Sequence, residues 1–315
     1  MNRPPFLSKG DSIAIVGPAG KIDQSVVLKA ASVLREWGLQ VQLAHHLFDD
    51  FFGFSASDED RKNDLQEALD DPTIKAIMCA RGGYGTNRII DFLNFEYFRK
   101  NPKWLIGFSD ITVLHNHIHN SFGIETIHGT MCNGFVSENT SSETKESLRK
   151  VLFGEKTTYH VEPHSLSKRG IAKGILTGGN LAILISLLGT ASDVQTSGKI
   201  LFIEEVGEYH YRIDRMMIQL KRAGKLKNLA GLIVGEFNDM PDKAENFGKS
   251  AYEIIADVVS EFNYPVLFGF PAGHGKDNRS LIFGREITLE INETAVVTFL
   301  NSWLNTINLV KRAKK

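Results

Sequence analysis

The first 120 residues constrain this chain most, because short apolar runs alternate there with longer amphipathic ones. Residues 12–16 (SIAIV) read as a strand, 22–37 as a helix stopped at Gly38, and 39–43 as a second strand. Asp58 caps a helix reaching residue 69, and 74–79 (IKAIMC) is the next strand. A helix at 86–93, a strand at 104–107 (WLIG) and a helix at 111–120 continue the pattern. This rhythm predicts an α/β fold whose N-terminal part is a doubly wound, mostly parallel sheet covered on both faces.

The character changes after residue 137. The polar run SENTSSE, a short helix and a loop-like stretch at 163–169 read as a crossover. At 315 residues the chain exceeds a typical single domain. It divides into an N-terminal α/β domain over 1–140, a linker over 141–169 and a mixed C-terminal α/β domain over 170–315. In the last part strands are expected at 171–176, 200–203, 229–234, 266–268, 287–291 and 295–299. Helices are expected at 181–188, 213–222 and 250–262, and the basic end at 311–315 reads as a solvated tail.

Composition removes several functions. Lys and Arg total 36 against 37 Asp and Glu, which argues against a broad nucleic-acid surface. Two cysteines, Cys79 and Cys132, build no disulfide framework, and no CxxC zinc knuckle occurs. The start is not that of a signal peptide, and no window approaches 18 uninterrupted apolar residues, so no membrane span is expected. The expected setting is a reducing cytoplasm.

Three motifs suggest cofactors and fail. Gly17-Pro18-Ala19-Gly20-Lys21 follows a strand, but Ile15 replaces the first P-loop glycine and Ile22 the Ser or Thr. Gly83-Tyr84-Gly85 lacks the third glycine of a dinucleotide fingerprint, Arg88 standing there. In His115-Asn116-His117-Ile118-His119, His115 and His119 share a helix face while His117 points elsewhere, and no third ligand is spaced for metal. No cofactor and no metal are expected.

Four segments carry more. Gly107-Phe108-Ser109-Asp110 puts Ser109 on a sharp strand-to-helix turn, where a nucleophile would be exposed at the carboxyl edge of the sheet; a plain helix N-cap is the competing reading. Arg81-Gly82-Gly83-Tyr84-Gly85 lets the backbone approach a ligand, or forms only a tight turn. Glu204, Glu205 and Glu208 end an apolar strand, either for function or for solvation. His274 stands between glycines, a poor place for packing.

In order, RGGYG, GFSD, TGGNLAILISLLGT, ILFIEEVGEYHYRIDRM and FPAGHG resemble the LD-carboxypeptidase family of serine peptidases, over most of the chain. The resemblance implies Ser109 as nucleophile, Glu204 as the acid that orients the histidine, with Glu205 beside it as the alternative, and His274 as base. It implies the backbone amides of Gly83 and Asp110 as oxyanion hole and a site in the cleft between domains. Arg81, with Gly82 and Tyr84, is the candidate for gripping the substrate. The implied substrate is a small peptide, a murein tetrapeptide that loses its terminal D-alanine during wall recycling. A self-immunity branch acting on the acyl linkage of a microcin C-like nucleotide is the alternative, and a homodimer is expected. Outside the family, a non-catalytic ligand-binding α/β protein and a metallopeptidase remain competing readings.

Overall fold

The computed structural model describes residues 2–300; the basic end at 311–315 lies outside the described residues. Thirteen strands occur among them: β1 (Ser12–Val16), β2 (Gln40–Leu43), β3 (Ile74–Cys79), β4 (Trp104–Gly107), β5 (Thr126–His128), β6 (Thr158–Val161), β7 (Gly170–Asn180), β8 (Ile200–Val206), β9 (Gly231–Asn238), β10 (Val266–Phe268), β11 (Leu281–Phe283), β12 (Glu286–Ile291) and β13 (Ala295–Phe299). They form two sheets, ordered β11-β5-β4-β3-β1-β2 and β10-β9-β8-β7-β12-β13-β6. In the first, β1 to β5 pair parallel, as the alternating rhythm requires, and β11 adds antiparallel to β5. In the second, β7 to β10 run parallel while β12, β13 and β6 are antiparallel.

Helices form where one face can be buried. Val27, Ala30, Ala31 and Leu34 line one side of the Gln24–Glu36 helix at spacings of three and four residues. Ala251–Val259 opens on a capping box of Ser250 and Glu253 and buries its apolar face with the His210–Arg222 helix against β8, β9 and β10. Among the described residues, no helix is long and apolar enough to cross a membrane.

The structure differs from the sequence reading at several elements. Residues 86–93 make two separate turns, Thr86–Arg88 and Ile90–Phe92, with i→i+3 bonds from Gly85, Thr86, Ile89 and Ile90. The Asp110 carboxylate accepts from the Thr86 amide at 2.9 Å and ties the first of these turns to the segment that follows Ser109. Ser57, not Asp58, caps the Asp58–Asp70 helix, accepting from the Asp60 amide at 3.2 Å. The stretch 141–169 contains the Ser142–Leu152 helix and β6, which closes one edge of the second sheet. The strand expected at 229–234 runs on as β9 to Asn238.

Candidate active site

After β4 the chain turns through Ser109–Ile111 into the Thr112–Phe122 helix. Ser109 has φ +63, in the left-handed region that side-chain-bearing residues seldom enter. Among the described residues only Phe52 and Asp239 share this with it outside glycine. Such backbone costs on the order of 1–3 kcal/mol and persists where surrounding structure enforces it. The Ser109 hydroxyl caps no helix, so the N-cap reading loses its basis. Beneath the turn, buried His115 donates from Nε2 to the Gly107 carbonyl and accepts at Nδ1 from the Thr126 hydroxyl, both at 2.9 Å. His117 bonds Ser192 and His119 contacts Thr177, so the histidine run is spent on packing.

The loop from Arg81 to Gly85 lies against the serine. A Cβ on Gly82 would stand 3.1 Å from Ser109 Cβ and 3.3 Å from its Oγ, which explains a glycine there. Gly83 has φ +98, and among the described residues no hydrogen bond takes up its N–H. The segment that failed as a P-loop buttresses this one. Gly20 N–H donates to the Gly82 carbonyl at 3.0 Å, and Arg81 Nη1 to the Lys21 carbonyl at 2.7 Å. Tyr84 is exposed and packs on Phe54, with ring centroids 5.9 Å apart. The Asp110 side chain is fully buried; burial raises its pKa against the opposing bonds from Thr86.

The second sheet supplies a histidine and its carboxylate. Glu204, on β8, is fully buried, and its Oε2 lies 2.7 Å from His274 Nδ1. A carboxylate only accepts, so Nδ1 carries the proton and the neutral ring keeps its Nε2 lone pair free. Burial works to lower the His274 pKa, but the bond and charge of Glu204, with Glu205 and Glu236, outweigh it and the net shift is upward. Glu205 points elsewhere. It accepts from Asn180 Nδ2 at 2.9 Å and the amides of Ala182 at 2.7 Å and Val206 at 2.9 Å, and burial raises its pKa to about 7. Neither acid is solvated, contrary to the bland reading of this run.

His274 reaches the first sheet through Phe108, the residue before the serine, with ring centroids 4.8 Å apart. Both line a pocket of about 180 Å³ that also includes Arg81, Thr130, Asn133 and Asn278. Arg81 is the cation on its wall. Among the described residues no hydrogen bond joins the Ser109 hydroxyl to the His274 ring; such contacts often tighten only with substrate present. The site thus lies at the carboxyl ends of parallel strands from both sheets, where open α/β folds place their crevices.

Known proteins resemble this one in sequence and fold over nearly the whole chain. The LD-carboxypeptidase N-terminal domain profile matches residues 13–129, and the LD-carboxypeptidase C-terminal domain profile residues 173–289. The chain belongs to the LD-carboxypeptidase family. A probable murein peptide carboxypeptidase of Bacillus subtilis (strain 168) is 37% identical over 300 residues, covering 94% of each protein. The crystal structure of muramoyltetrapeptide carboxypeptidase from Oxalobacter formigenes superposes with a TM-score of 0.84 at 28% identity, over 92% of this chain and 99% of that one. MccF in complex with glutamyl sulfamoyl guanosine gives 0.85 at 22% identity, over 94% and 98%, a likeness of fold.

Within this LD-carboxypeptidase the sequence singled out Ser109, Glu204 and His274, and the geometry separates Glu204 from Glu205 by which of them bonds the histidine. Sequence reasoning missed Glu236 on β9, which packs beneath the His274 loop. A signal for it existed: VGEF ends an apolar strand in acid just as FIEE does on the preceding strand.

Proposed function

We propose that this LD-carboxypeptidase is a metal-independent serine peptidase that hydrolyses the L,D-peptide bond to the terminal D-alanine of a murein tetrapeptide. Ser109 Oγ attacks the carbonyl carbon while its proton passes to His274 Nε2. Glu204 holds the ring in that tautomer and stabilises the imidazolium that forms. The amides of Gly83 and Asp110 receive the oxyanion; losing one such donor costs about 10²–10³ in turnover. The imidazolium then protonates the departing amine of D-alanine, and water, activated by the same ring, cleaves the Ser109 ester. Arg81, on the pocket wall, is the group we assign to the substrate's free carboxylate.

What supports the reading most is the 2.7 Å bond from His274 to a fully buried Glu204, 70 residues away in sequence, with the histidine ring packed on Phe108, the residue before a serine in strained left-handed backbone. The setting we infer is wall recycling in the cytoplasm by a homodimer. The two cysteines, buried and free, suit a reducing compartment, and ultracentrifugation tests the pairing.

The deciding assay measures free D-alanine released from a disaccharide- or UDP-linked tetrapeptide, with chelator present. Wild type releases it, and Ser109→Ala loses at least about a thousandfold in rate. Full activity in Ser109→Ala sinks the nucleophile; loss of wild-type activity with chelator sinks the metal-free mechanism. No release by wild type, with turnover of an aminoacyl sulfamoyl nucleoside instead, moves the substrate to the acyl-nucleotide branch.

A further inference from the structure

The loop that carries His274 rests on two carboxylates, one from each of two neighbouring strands. β8 and β9 run in register at Ile203↔Val234, then shift so that Glu205 faces Phe237. Glu204 therefore stands opposite two residues, Gly235 and Glu236, a bulge of the kind that re-aims side chains beside active sites. Glu236 N–H donates to the Ala272 carbonyl at 3.0 Å, and Phe270 N–H to the Val234 carbonyl at 3.1 Å, so the strand end is bolted to the loop. The Glu236 side chain runs beneath Gly275, where a Cβ would stand 1.7 Å from its Oε2. Likewise a Cβ on Gly273, at φ +135, would stand 3.2 Å from Glu204 Oε2. The two glycines beside His274 are the room these two carboxylates occupy.

We propose that Glu236 is a positioning residue for His274, holding its loop on β9 and sharing with Glu204 the stabilisation of positive charge on the ring. The proposal rests on the reading of His274 as the base. Glu236 is half-buried, accepts from Asn238 Nδ2 at 3.3 Å and lies directly against Gly275. Partial burial leaves its field less screened than that of a surface acid. Glu204 and Glu205 approach from β8, Glu236 from β9 and His128 from β5; Arg81 stands on the pocket wall, and Asp277 on the same loop is paired with Arg279. The three glutamates favour the imidazolium, while His128, held neutral by burial, adds no charge beside it.

The test compares Glu236→Gln, which keeps shape and removes charge, with Glu236→Ala, which removes the support as well. In Glu236→Gln the NMR midpoint of the His274 ring and the acid limb of kcat/KM both move to lower pH by about half a unit or more, with the melting temperature near that of wild type. In Glu236→Ala kcat falls about ten- to a hundredfold with KM little changed. An unmoved midpoint in Glu236→Gln together with full kcat in Glu236→Ala overturns the proposal. Should Glu236→Ala unfold, the two Glu236→Gln measurements decide alone. The NMR midpoint needs no substrate, so it stands whether or not Ser109→Ala upholds the peptidase reading.

Discussion

Burial divides the histidines of this protein by what each is left to bond with. His115 and His119 are pushed down by burial to about 4 and about 3, and His128 well below its ordinary value. Each of these three stabilises the fold above about pH 6.5 and withdraws that stability below it, where the unfolded ring takes a proton the folded one refuses. His274 has the opposite sign. Its contribution is complete below about 6.5 and fades as pH rises through its raised value. In an NMR titration from pH 7.5 to 5, the rings of His115, His119 and His128 should stay flat while His274 titrates with a midpoint above 6.5. A His274 midpoint at or below 6.5 would show that the carboxylates do not outweigh burial. In Glu204→Gln kcat should fall by about 10⁴, because the tautomer is no longer held. The acid limb should also move to lower pH, burial having lost its strongest opponent.

Elements longer than about four residues were largely legible, because their apolar period repeats enough to be read. β1, β3, β4, β10 and β13 run over the residues their patterns indicate. β5 and β11, three residues each like β10, give no period to read, and of these three only the apolar run of β10 was legible. Loops were legible only as glycine patterns, since what holds them comes from far along the chain. Arg61, in the Asp58–Asp70 helix and 1% exposed, donates to the carbonyls of Pro18, Ala56 and Gly85. It thereby joins the buttress loop to the loop against Ser109. Arg61→Met should cost about 3 kcal/mol or more in urea unfolding, three buried carbonyls losing their donor. A loss under about 1 kcal/mol would mean that water replaces the guanidinium there.

Over the whole molecule, the chain's halves do not map simply onto the two sheets. β6 joins the second sheet from before β7, and β11 returns to the first from near the chain's end. Where the chain passes from β11 to β12, Arg285 forms a buried two-pronged pair with Glu125, Nε to Oε1 at 3.1 Å and Nη2 to Oε2. Asn116 Nδ2 to the Gly178 carbonyl at 3.1 Å and the Asn180 amide to Thr112 Oγ1 at 3.0 Å add further ties between the sheets. Arg285→Met alone should destabilise by about 3–5 kcal/mol, because a carboxylate is left buried without its partner. Glu125→Leu with Arg285→Met should recover most of that loss; a single-variant cost near zero would mark the pair as solvated. The alternation of strands and helices, the turn bearing Ser109 and the ordered motifs were written in the chain itself, because hydrophobic period and glycine placement act over a few residues. Three matters were decided only in the folded molecule: which glutamate meets His274, what the glycines beside it make room for, and what holds the Gly82–Gly83 loop. Each depends on side chains tens of residues apart brought within a few ångströms, and on burial, which sets how strongly those charges act.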